Sequence, residues 1–174
     1  MSDPRGPERT RTVAGPDGDD AEAIVIVTTT PDDTEAVARR LGAAAAAGDV
    51  VALVGPLGAG KTAFVRGLAT GLGIDPDDVA SPTFTMVAEH RSGRLPLFHI
   101  DLYRLDPAET DMLPLREYAY GGGVTAIEWF DRLPDGALDA YVLVRIEYGE
   151  PGRVLHVSAQ GVRAASLLGV LTGD

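Results

Sequence analysis

A glycine-rich segment with a single lysine offers the clearest chemistry in this sequence. Residues 55–62 have the sequence GPLGAGKT, which meets the spacing G-x-x-x-x-G-K-T. Glycines let a backbone wrap closely around phosphates, and successive N–H groups then form an anion-binding nest at a helix N-terminus. Lys61 is expected to contact the β- and γ-phosphates, and the Thr62 hydroxyl is expected to ligate Mg²⁺. The segment therefore predicts binding of a nucleoside triphosphate, with its hydrolysis as the expected reaction.

Lys61 is the only lysine of the chain, which also has fourteen arginines. A genome-wide preference for arginine explains the fourteen, but it does not explain why the one lysine stands where a slender ammonium must reach phosphates. The alternative interpretation is a glycine-rich turn between a strand and a helix that binds nothing. That alternative has to treat the position of Lys61 as coincidence.

Two carboxylates follow apolar segments and could complete such a site. Residues 95–100 lead into Asp101, and residues 124–127 lead into Glu128. A P-loop site needs an acidic residue near the Mg²⁺ and a group that orients the attacking water, and either acid fits either role. Thr83, in a Ser-Pro-Thr loop, is a candidate for contact with the γ-phosphate or its metal. Each of the three could also be an ordinary polar residue at a strand end or in a loop.

The predicted elements place the glycine loop between a strand and a helix. Strands are predicted over residues 23–28, 49–54, 84–89, 95–103, 124–129, 141–148 and 154–159. Helices are predicted from Thr30 to about residue 48, from Lys61 to residue 71 or 73, in short pieces over 106–120, and over 162–171. Strands and helices alternate first, and hairpins dominate later. This order predicts a single α/β domain, with a P-loop NTPase-like mixed β-sheet that is parallel around the P-loop, antiparallel in its hairpins and flanked by helices.

Composition narrows the class of protein. A chain of 174 residues that is 45% hydrophobic fits one compact domain with a proper core. The absence of cysteine excludes a disulfide framework and a cysteine-based zinc site, and the three histidines lack metal-ligand spacing. The net charge of −11 argues against autonomous binding to RNA or DNA, so another protein is expected to hold any nucleic acid.

The N-terminal segment differs in composition from the rest of the chain. We interpret residues 1–22 as a disordered tail and residues 23–174 as a P-loop ATPase domain. The first twenty residues contain no apolar region of a signal peptide, and no apolar run reaches the length that spans a bilayer. We therefore expect a soluble, cytoplasmic protein with no membrane contact.

Motifs in a fixed order resemble the TsaE (YjeE) family, which comprises small bacterial ATPases required for threonylcarbamoyladenosine modification of tRNA. The motifs are GPLGAGKT from residue 55, SPTFTMV from 81, FHIDLYRL from 98 and AIEW from 126. The glycine loop alone marks many NTPases, whereas the later motifs at these distances are specific. The resemblance covers residues 28–159.

The resemblance implies roles in phosphate binding and hydrolysis. The residues that would line the phosphates of ATP are Leu57, Gly58, Ala59, Gly60, Lys61 and Thr62. Thr62 and Glu128 would hold Mg²⁺, directly or through water. Asp101 would be the residue needed for hydrolysis, as a base or as a water-orienting group.

The resemblance also implies roles for residues outside the glycine loop. Residues 81–83, including Thr83, resemble a switch-like segment that senses the γ-phosphate. Trp129 follows the metal-site glutamate as it does in the family. Gly152 and Arg153 match a Gly-Arg pair in the last hairpin that approaches the nucleotide.

A protein partner follows from the same resemblance. Family members associate with a TsaB–TsaD heterodimer, whose TsaD subunit transfers the threonylcarbamoyl group, and the ATPase would reset that machine between turnovers. We expect weak ATPase activity alone and faster turnover in the complex. The tRNA would be met only through the partners, which agrees with the acidic charge, and DNA would not be bound.

Two positions depart from the family pattern. Pro56 stands where the family loop often has Asp, and Ala63 stands where a second Thr is common. The first change removes an N–H and a carboxylate, and the second removes a hydroxyl near the α-phosphate. Altered affinity rather than lost binding is the expected consequence.

Other functions stay open at this point. One is a small P-loop kinase of a metabolite, which is disfavoured because no arginine-rich lid segment follows the loop. Another is a nucleotide-gated scaffold without essential hydrolysis. A GTPase with an Asn-Lys-x-Asp guanine reader is excluded, because the chain has no asparagine and no second lysine.

Overall fold

The strand that enters the glycine loop lies inside one mixed β-sheet. The structure is a computed structural model that describes residues 11–14 and 22–173. The strands are β1 Arg11–Ala14, β2 Glu22–Thr28, β3 Val50–Val54, β4 Val87–His90, β5 Leu97–Asp101, β6 Val124–Glu128, β7 Tyr141–Tyr148 and β8 Arg153–Gln160. Their order in the eight-stranded sheet is β1-β2-β8-β7-β3-β6-β5-β4.

Helices cover both faces of this sheet. They are α1 Pro31–Ala44, α2 Lys61–Gly71, α3 Leu115–Ala119 and α4 Val162–Leu168. Short 3₁₀ turns span Pro76–Asp78, Pro107–Met112, Phe130–Arg132 and Gly169–Leu171. Within the described ranges, none of the helices has both the length and the apolar character that a bilayer crossing requires.

The centre of the sheet is parallel and buried. Strand β3 pairs in parallel with β6 on one side and β7 on the other, and β5 pairs in parallel with β6. Every residue of β3, β5 and β6 is buried, as expected for strands covered on both faces. The outer pairs β1–β2, β2–β8, β7–β8 and β4–β5 are antiparallel. The predicted mixed sheet, parallel around the P-loop and antiparallel in its hairpins, is confirmed.

Parallel pairing brings the predicted acids to one edge. The carboxyl ends of β3, β5 and β6 lie at the same edge of the sheet, and the glycine loop begins there after Val54. In the ladders, Glu128 pairs with Leu53 on one side and with Asp101 on the other. Asp101 and Glu128 are therefore neighbours because of strand register, although 26 residues lie between them in the chain.

A close contact between two helices fixes the position of α2. Helices α1 and α2 pack together on one face of the sheet, in the larger hydrophobic core. At Gly67 an added Cβ would lie 2.3 Å from the carbonyl oxygen of Glu35 and 2.6 Å from the Cβ of Ala38. The absence of a side chain at Gly67 therefore allows the helix backbones to approach. The smaller core lies on the opposite face, where α3 packs.

The structure departs from the sequence predictions in two segments. Arg11–Ala14 falls in the predicted disordered tail but forms a strand against β2, which would otherwise present an unpaired edge. Glu22, the last residue of the predicted tail, is the first residue of β2. Residues 1–10 and 15–21 of that prediction lie outside the described residues. The strand predicted from Phe84 begins only at Val87, because Met86 has a φ of 64° and its N–H bonds the Pro82 oxygen at 2.7 Å.

Candidate functional site

The glycine loop has the backbone shape that its composition predicts. It joins the end of β3 to the start of α2, with Gly58 at φ 76° and Gly60 at φ 109°. Residues with a side chain rarely adopt these angles, so the turn depends on glycine at both positions. Gly60 is the N-cap of α2 and provides no side-chain cap, which leaves the first amides of the helix available to an anion.

The ammonium of Lys61 lies against the loop itself. Its Nζ donates to the carbonyl oxygens of Gly55 at 2.7 Å and Pro56 at 2.8 Å. The same atom lies 4.0 Å from the ring centroid of Trp129, a cation–π contact, and the residue is only 5% exposed. Trp129 has a φ of 60°, an uncommon backbone state for a bulky residue and one that occurs at functional sites.

Two opposing effects act on the pKa of Lys61. Burial lowers the pKa of its ammonium below the ordinary value of 10.5, and the carboxylates of Glu128, Asp101 and Asp131 oppose that shift. The ammonium is therefore surrounded by negative charge on the side of the sheet edge. A negatively charged ligand at the loop would offer it stronger partners than two neutral carbonyls do.

Thr62 and Glu128 meet between α2 and β6. The Thr62 hydroxyl donates to Oε1 of Glu128 at 3.0 Å, and Glu128 is only 3% exposed. A hydroxyl beside a carboxylate is an oxygen donor set of the kind that Mg²⁺ prefers. Both oxygens stand at the N-terminus of α2, next to the loop amides.

Asp101 is held by donors from two segments. Its Oδ2 accepts from the hydroxyls of Ser81 at 2.6 Å and Thr83 at 3.0 Å, and its Oδ1 accepts from the N–H of Tyr103 at 2.9 Å. The side chain is 2% exposed and lies beside Glu128 in the sheet. Three donors fix the orientation of this carboxylate and connect it to the loop that precedes β4.

Thr83, the candidate for a contact with the γ-phosphate, lies in the segment that bonds Asp101. Its hydroxyl lies 2.9 Å from the Ser81 hydroxyl and bonds Asp101. Phe84, the next residue, is 82% exposed. The segment thus presents an exposed apolar side chain while its hydroxyls bind the buried acid.

The last hairpin contacts the outside of the glycine loop. Arg153 donates from Nε to the carbonyl oxygen of Ala59 at 3.0 Å and from Nη2 to that of Gly58 at 3.4 Å. Its guanidinium lies 4.6 Å from the ring centroid of Tyr148, whose hydroxyl donates to the Leu57 oxygen at 2.5 Å. The hairpin of β7 and β8 therefore holds the middle of the loop, at Leu57, Gly58 and Ala59.

Gly152 is required by a close backbone approach. A Cβ at this position would lie 2.2 Å from the carbonyl oxygen of Thr28 and 2.8 Å from the Cα of Thr29. Only glycine allows the hairpin to pass so close to the end of β2. This passage brings Arg153 to the loop.

Comparison with known proteins shows the family to which this chain belongs. The family model described as "Threonylcarbamoyl adenosine biosynthesis protein TsaE" matches residues 28–155. The chain belongs to the TsaE family. The resemblance drawn from the four motifs is thereby confirmed, and its extent agrees with the segment over which the motifs were recognised.

Individual relatives support the same assignment. A protein of Nostoc sp. named "tRNA threonylcarbamoyladenosine biosynthesis protein TsaE" is 46% identical over 115 residues, which are 64% of this chain and 70% of the relative. A Bacillus subtilis protein of the same name is 52% identical over 82 residues, so the match spans about half of each chain, 47% and 51%. The crystal structure of YdiB from Bacillus subtilis superposes with a TM-score of 0.71 at 35% identity, covering 87% of this chain and 95% of that one. The expected P-loop NTPase-like fold is confirmed by this likeness.

This TsaE-family chain also has a cavity that the sequence did not predict. It lies between the start of α1, the glycine loop and the last hairpin, with a volume of about 160 Å³. Its lining residues are Thr29, Thr30, Pro31, Thr34, Gly58, Ala59, Gly60, Ala63, Gly152 and Arg153. From the sequence, Thr30 was predicted only to begin a helix. The place of Thr30 and Pro31 in this wall follows from the pairing of β2 with β8, which no local pattern specifies.

The donor set for a metal in this TsaE-family site is small. Across the described ranges, no three or more His, Asp or Glu side chains are grouped so that they could hold a metal ion. The candidate ligands are therefore the Thr62 hydroxyl and the Glu128 carboxylate. These residues fit Mg²⁺ bound together with a nucleotide, since that ion usually keeps several waters and takes one or two carboxylates plus phosphate oxygens.

Two further residues reach the site without having been singled out. Tyr148 bonds the glycine loop from the end of β7, and His99 bonds Glu128 from inside β5. For Tyr148 the signal was an aromatic residue four positions before Gly152. For His99 it was a polar residue within an otherwise apolar strand, two positions before Asp101.

Proposed function

We propose that this chain binds ATP with Mg²⁺ at residues 55–62 and hydrolyses it in support of threonylcarbamoyladenosine modification of tRNA. The observation that carries the proposal is the convergence of Lys61, Thr62, Glu128 and Asp101 at one edge of the sheet, directly around the glycine loop. The names of the relatives support the process in which the ATPase would act.

Phosphate binding would use the loop amides and Lys61. Residues 57–62 would surround the phosphates, and the Lys61 ammonium would exchange its two loop carbonyls for β- and γ-phosphate oxygens. A hydrogen bond that involves a charged group contributes about 1.5–3 kcal/mol, and a phosphate oxygen adds Coulomb attraction to the ammonium that a neutral carbonyl does not offer. The exchange is therefore favourable once a triphosphate is present.

The 3.0 Å bond between Thr62 and Glu128 supports their assignment to the metal. Thr62 would offer its hydroxyl oxygen to Mg²⁺ while its hydroxyl hydrogen continues to be donated to Glu128, which would hold the ion directly or through water. The ion, when bound, neutralises charge on the β- and γ-phosphates. This leaves Asp101, which does not bond Thr62, for the attacking water.

Asp101 would act on the water. Its carboxylate would orient a water molecule in line with the γ-phosphorus and accept its proton as the new P–O bond forms and the bond to the β–γ bridging oxygen breaks. Ser81 and Thr83 bond the same carboxylate. A movement of their segment would therefore change the orientation of the base, and this connection supports a switch-like role for residues 81–83.

The 160 Å³ cavity is a candidate site for the nucleoside. It adjoins Gly58, Ala59 and Gly60 and is bounded by Gly152 and Arg153, which were expected to approach the nucleotide. Arg153 would lie beside the phosphates while it continues to bond the loop carbonyls. The wall contributed by Thr30 and Pro31 would contact the ribose or the base.

The partner proposed for this ATPase is a TsaB–TsaD heterodimer. The net charge of −11 supports contact with tRNA only through that partner, because an acidic surface repels phosphate backbones. Phe84 is exposed in the segment that bonds Asp101, so a partner that contacts Phe84 could change the rate of hydrolysis. We expect weak ATPase activity in the isolated chain, stimulation by the partner and a cytoplasmic location.

The test combines binding, hydrolysis and modification. ATP affinity is measured by calorimetry, and phosphate release is measured with and without a purified TsaB–TsaD heterodimer. We expect binding, slow release alone and faster release with the partner. Absence of ATP binding to the wild-type chain would refute the proposal. An Asp101→Ala variant that binds ATP and still supports full tRNA modification would instead favour a nucleotide-gated scaffold without essential hydrolysis.

A further inference from the structure

The second oxygen of the Glu128 carboxylate contacts a buried histidine. His99 lies in the middle of β5 and is 0% exposed, and its Nε2 is 2.5 Å from Oε2 of Glu128. The Thr62 hydroxyl bonds the other oxygen, Oε1. Because an ionised carboxylate only accepts hydrogen bonds, the hydrogen in the contact with His99 is on Nε2. Glu128 therefore has a donor on each of its oxygens.

We propose that His99 is a positioning residue for the metal site: it holds the Glu128 carboxylate in the orientation in which Oε1 accepts from Thr62 and in which Glu128 would hold Mg²⁺. The inference rests on the proposed function, because it concerns the metal that accompanies the nucleotide. His99 would affect metal affinity only by orienting Glu128, without contacting the metal itself.

The surroundings of His99 explain why a packing role alone is insufficient. Every residue of β5 is buried, so an apolar side chain would fit this strand without the cost of burying a polar ring. The other nitrogen, Nδ1, is also buried and has no hydrogen-bond partner among the described residues. The bond to Glu128 is thus the one polar contact recorded for the ring in the described part of the chain.

The hydrogen bond from His99 selects one of two orientations of the Glu128 carboxylate. Thr62 Oγ1 lies 3.0 Å from Oε1 and 3.3 Å from Oε2 of Glu128, so the hydroxyl by itself discriminates weakly between the two oxygens. The bond from His99 reserves Oε2 and leaves Oε1 for Thr62. A residue that orients a metal ligand in this way typically changes metal affinity by about 10–100-fold when its hydrogen bond is lost.

The experiment compares replacements that keep or lose the Nε2 donor. In His99→Gln the side-chain amide nitrogen can occupy the position of Nε2. In His99→Asn the side chain is too short for its amide nitrogen to reach Glu128, and His99→Leu has no donor. The affinity of the ADP-bound protein for Mn²⁺ is measured by electron paramagnetic resonance of the free ion. ADP affinity in EDTA and the melting temperature are measured on the same samples.

His90 provides a matched control on the neighbouring strand. It lies in β4, its Nε2 is buried and has no hydrogen-bond partner among the described residues, and it makes no recorded contact with Glu128. His90→Leu therefore removes an imidazole from the same part of the sheet without changing the donor on Oε2. We expect its Mn²⁺ affinity to equal that of the wild type.

For the His99 variants we expect Mn²⁺ affinity to fall about 10–100-fold in His99→Leu and His99→Asn, and His99→Gln to recover most of the loss. ADP affinity in EDTA should stay unchanged. Equal Mn²⁺ affinity in folded His99→Leu and wild type would overturn the inference, as would equal affinities in the Gln and Asn variants. If His99→Leu does not fold, the Gln–Asn pair decides. A wild-type chain that binds neither ADP nor Mn²⁺ would instead refute the proposed function.

Discussion

The hydroxyl of Thr62 donates to Oε1 of Glu128 at 3.0 Å and so connects the first turn of α2 to the end of β6. The two residues are 66 positions apart in the chain. Their meeting depends on the packing of α2 over the sheet edge where β3, β5 and β6 end. The proposed metal site therefore depends on the tertiary packing of α2 against the sheet. It can be tested by substitution of Thr62, its residue on α2.

Thr62→Val should remove metal-dependent hydrolysis. Valine has nearly the shape of threonine but lacks the hydroxyl, so the variant loses one proposed ligand and the bond to Glu128. We expect Mg²⁺-dependent phosphate release to fall about 100-fold or more, which corresponds to about 2.7 kcal/mol in the barrier. Thr62→Ser keeps the hydroxyl and is the matched control, with activity within a few-fold of wild type. Equal loss in both variants would show that shape, not the hydroxyl, matters.

Lys61→Ala should abolish nucleotide binding. The variant removes the charge-assisted contacts to two phosphates, together worth about 3–6 kcal/mol, so ATP affinity should fall at least 100-fold in calorimetry. Arg91→Ala is the control, because it also removes one positive charge but at an exposed position, where Arg91 pairs with Glu89. Unchanged ATP affinity in Lys61→Ala would contradict the placement of the phosphates.

ATP binding should change the fluorescence of Trp129. This is the only tryptophan in the chain, and the Lys61 ammonium lies 4.0 Å from its ring centroid. Transfer of the ammonium from the loop carbonyls to phosphates changes the charge next to the indole. Emission should therefore shift on titration with a non-hydrolysable ATP analogue, with the same midpoint as calorimetry. Lys61→Ala should show no such titration, and a saturable shift of the wild-type size in that variant would contradict the prediction.

The local parts of this site could be predicted from the sequence, and the contacts between distant segments could not. The apolar run 49–54 and the glycines after it specify a strand, a turn and a helix start by local rules, and the structure has β3, the loop and α2 there. Asp101 and Glu128 were expected at strand ends. That they are neighbours follows from the parallel register of β5 and β6, which a single sequence does not reveal.

Tertiary contacts explain what the sequence missed. Tyr148 and Arg153 bond the glycine loop from 91 and 94 positions away, and these bonds exist because β8 pairs with β2 as well as β7. The prediction that a strand begins at Phe84 was wrong because of another tertiary contact. The hydroxyls of Ser81 and Thr83 bond Asp101, and the turn that this requires overrides the β propensity of the residues that follow.

Asp101→Asn should separate binding from hydrolysis. The amide keeps the size of the side chain but is not a base, so phosphate release should fall about 10²–10⁴-fold while ATP affinity stays within a few-fold of wild type. Asp106→Asn, at an exposed position after the end of β5, makes the same charge change and should leave both quantities unchanged. Residual hydrolysis near the wild-type rate in Asp101→Asn would remove this residue from the proposed mechanism.

Gly67→Ala should destabilise the fold although alanine favours helices. Its Cβ would lie 2.3 Å from the Glu35 oxygen, so α1 and α2 must move apart, at a cost of about 1–3 kcal/mol in the free energy of unfolding. Gly169→Ala is the control, because Gly169 has helical angles and nothing within 4 Å of an added Cβ. That variant should be neutral or more stable by up to about 1 kcal/mol. Urea unfolding measures both, and equal stability of the two variants would contradict the close approach.

Asp33→Ala should lower stability in a way that depends on pH. Asp33 accepts hydrogen bonds from the Thr29 hydroxyl at 2.7 Å, the Thr29 N–H at 3.1 Å and the Thr30 N–H at 3.0 Å, and it completes the capping box of α1 beside the proposed nucleoside cavity. The bond from the Thr29 hydroxyl is the main reason that the pKa of Asp33 lies below its ordinary value of 3.8. At neutral pH we expect the variant to lose about 0.5–2 kcal/mol in the free energy of unfolding, as for other lost caps.

The pH dependence of that loss follows from the direction of the shift. Because the pKa of Asp33 is lower in the folded chain than in the unfolded chain, its contribution is fully present above pH 3.8 and disappears as the pH falls through the folded value. The difference between wild type and Asp33→Ala, measured by urea unfolding across the acid range, should therefore shrink below pH 3.8. Asp32→Ala removes the same charge from the same first turn but outside the capping box, and its smaller cost isolates the contribution of the hydrogen bonds. A loss that stays constant with pH would mean that the Asp33 charge does not strengthen the cap.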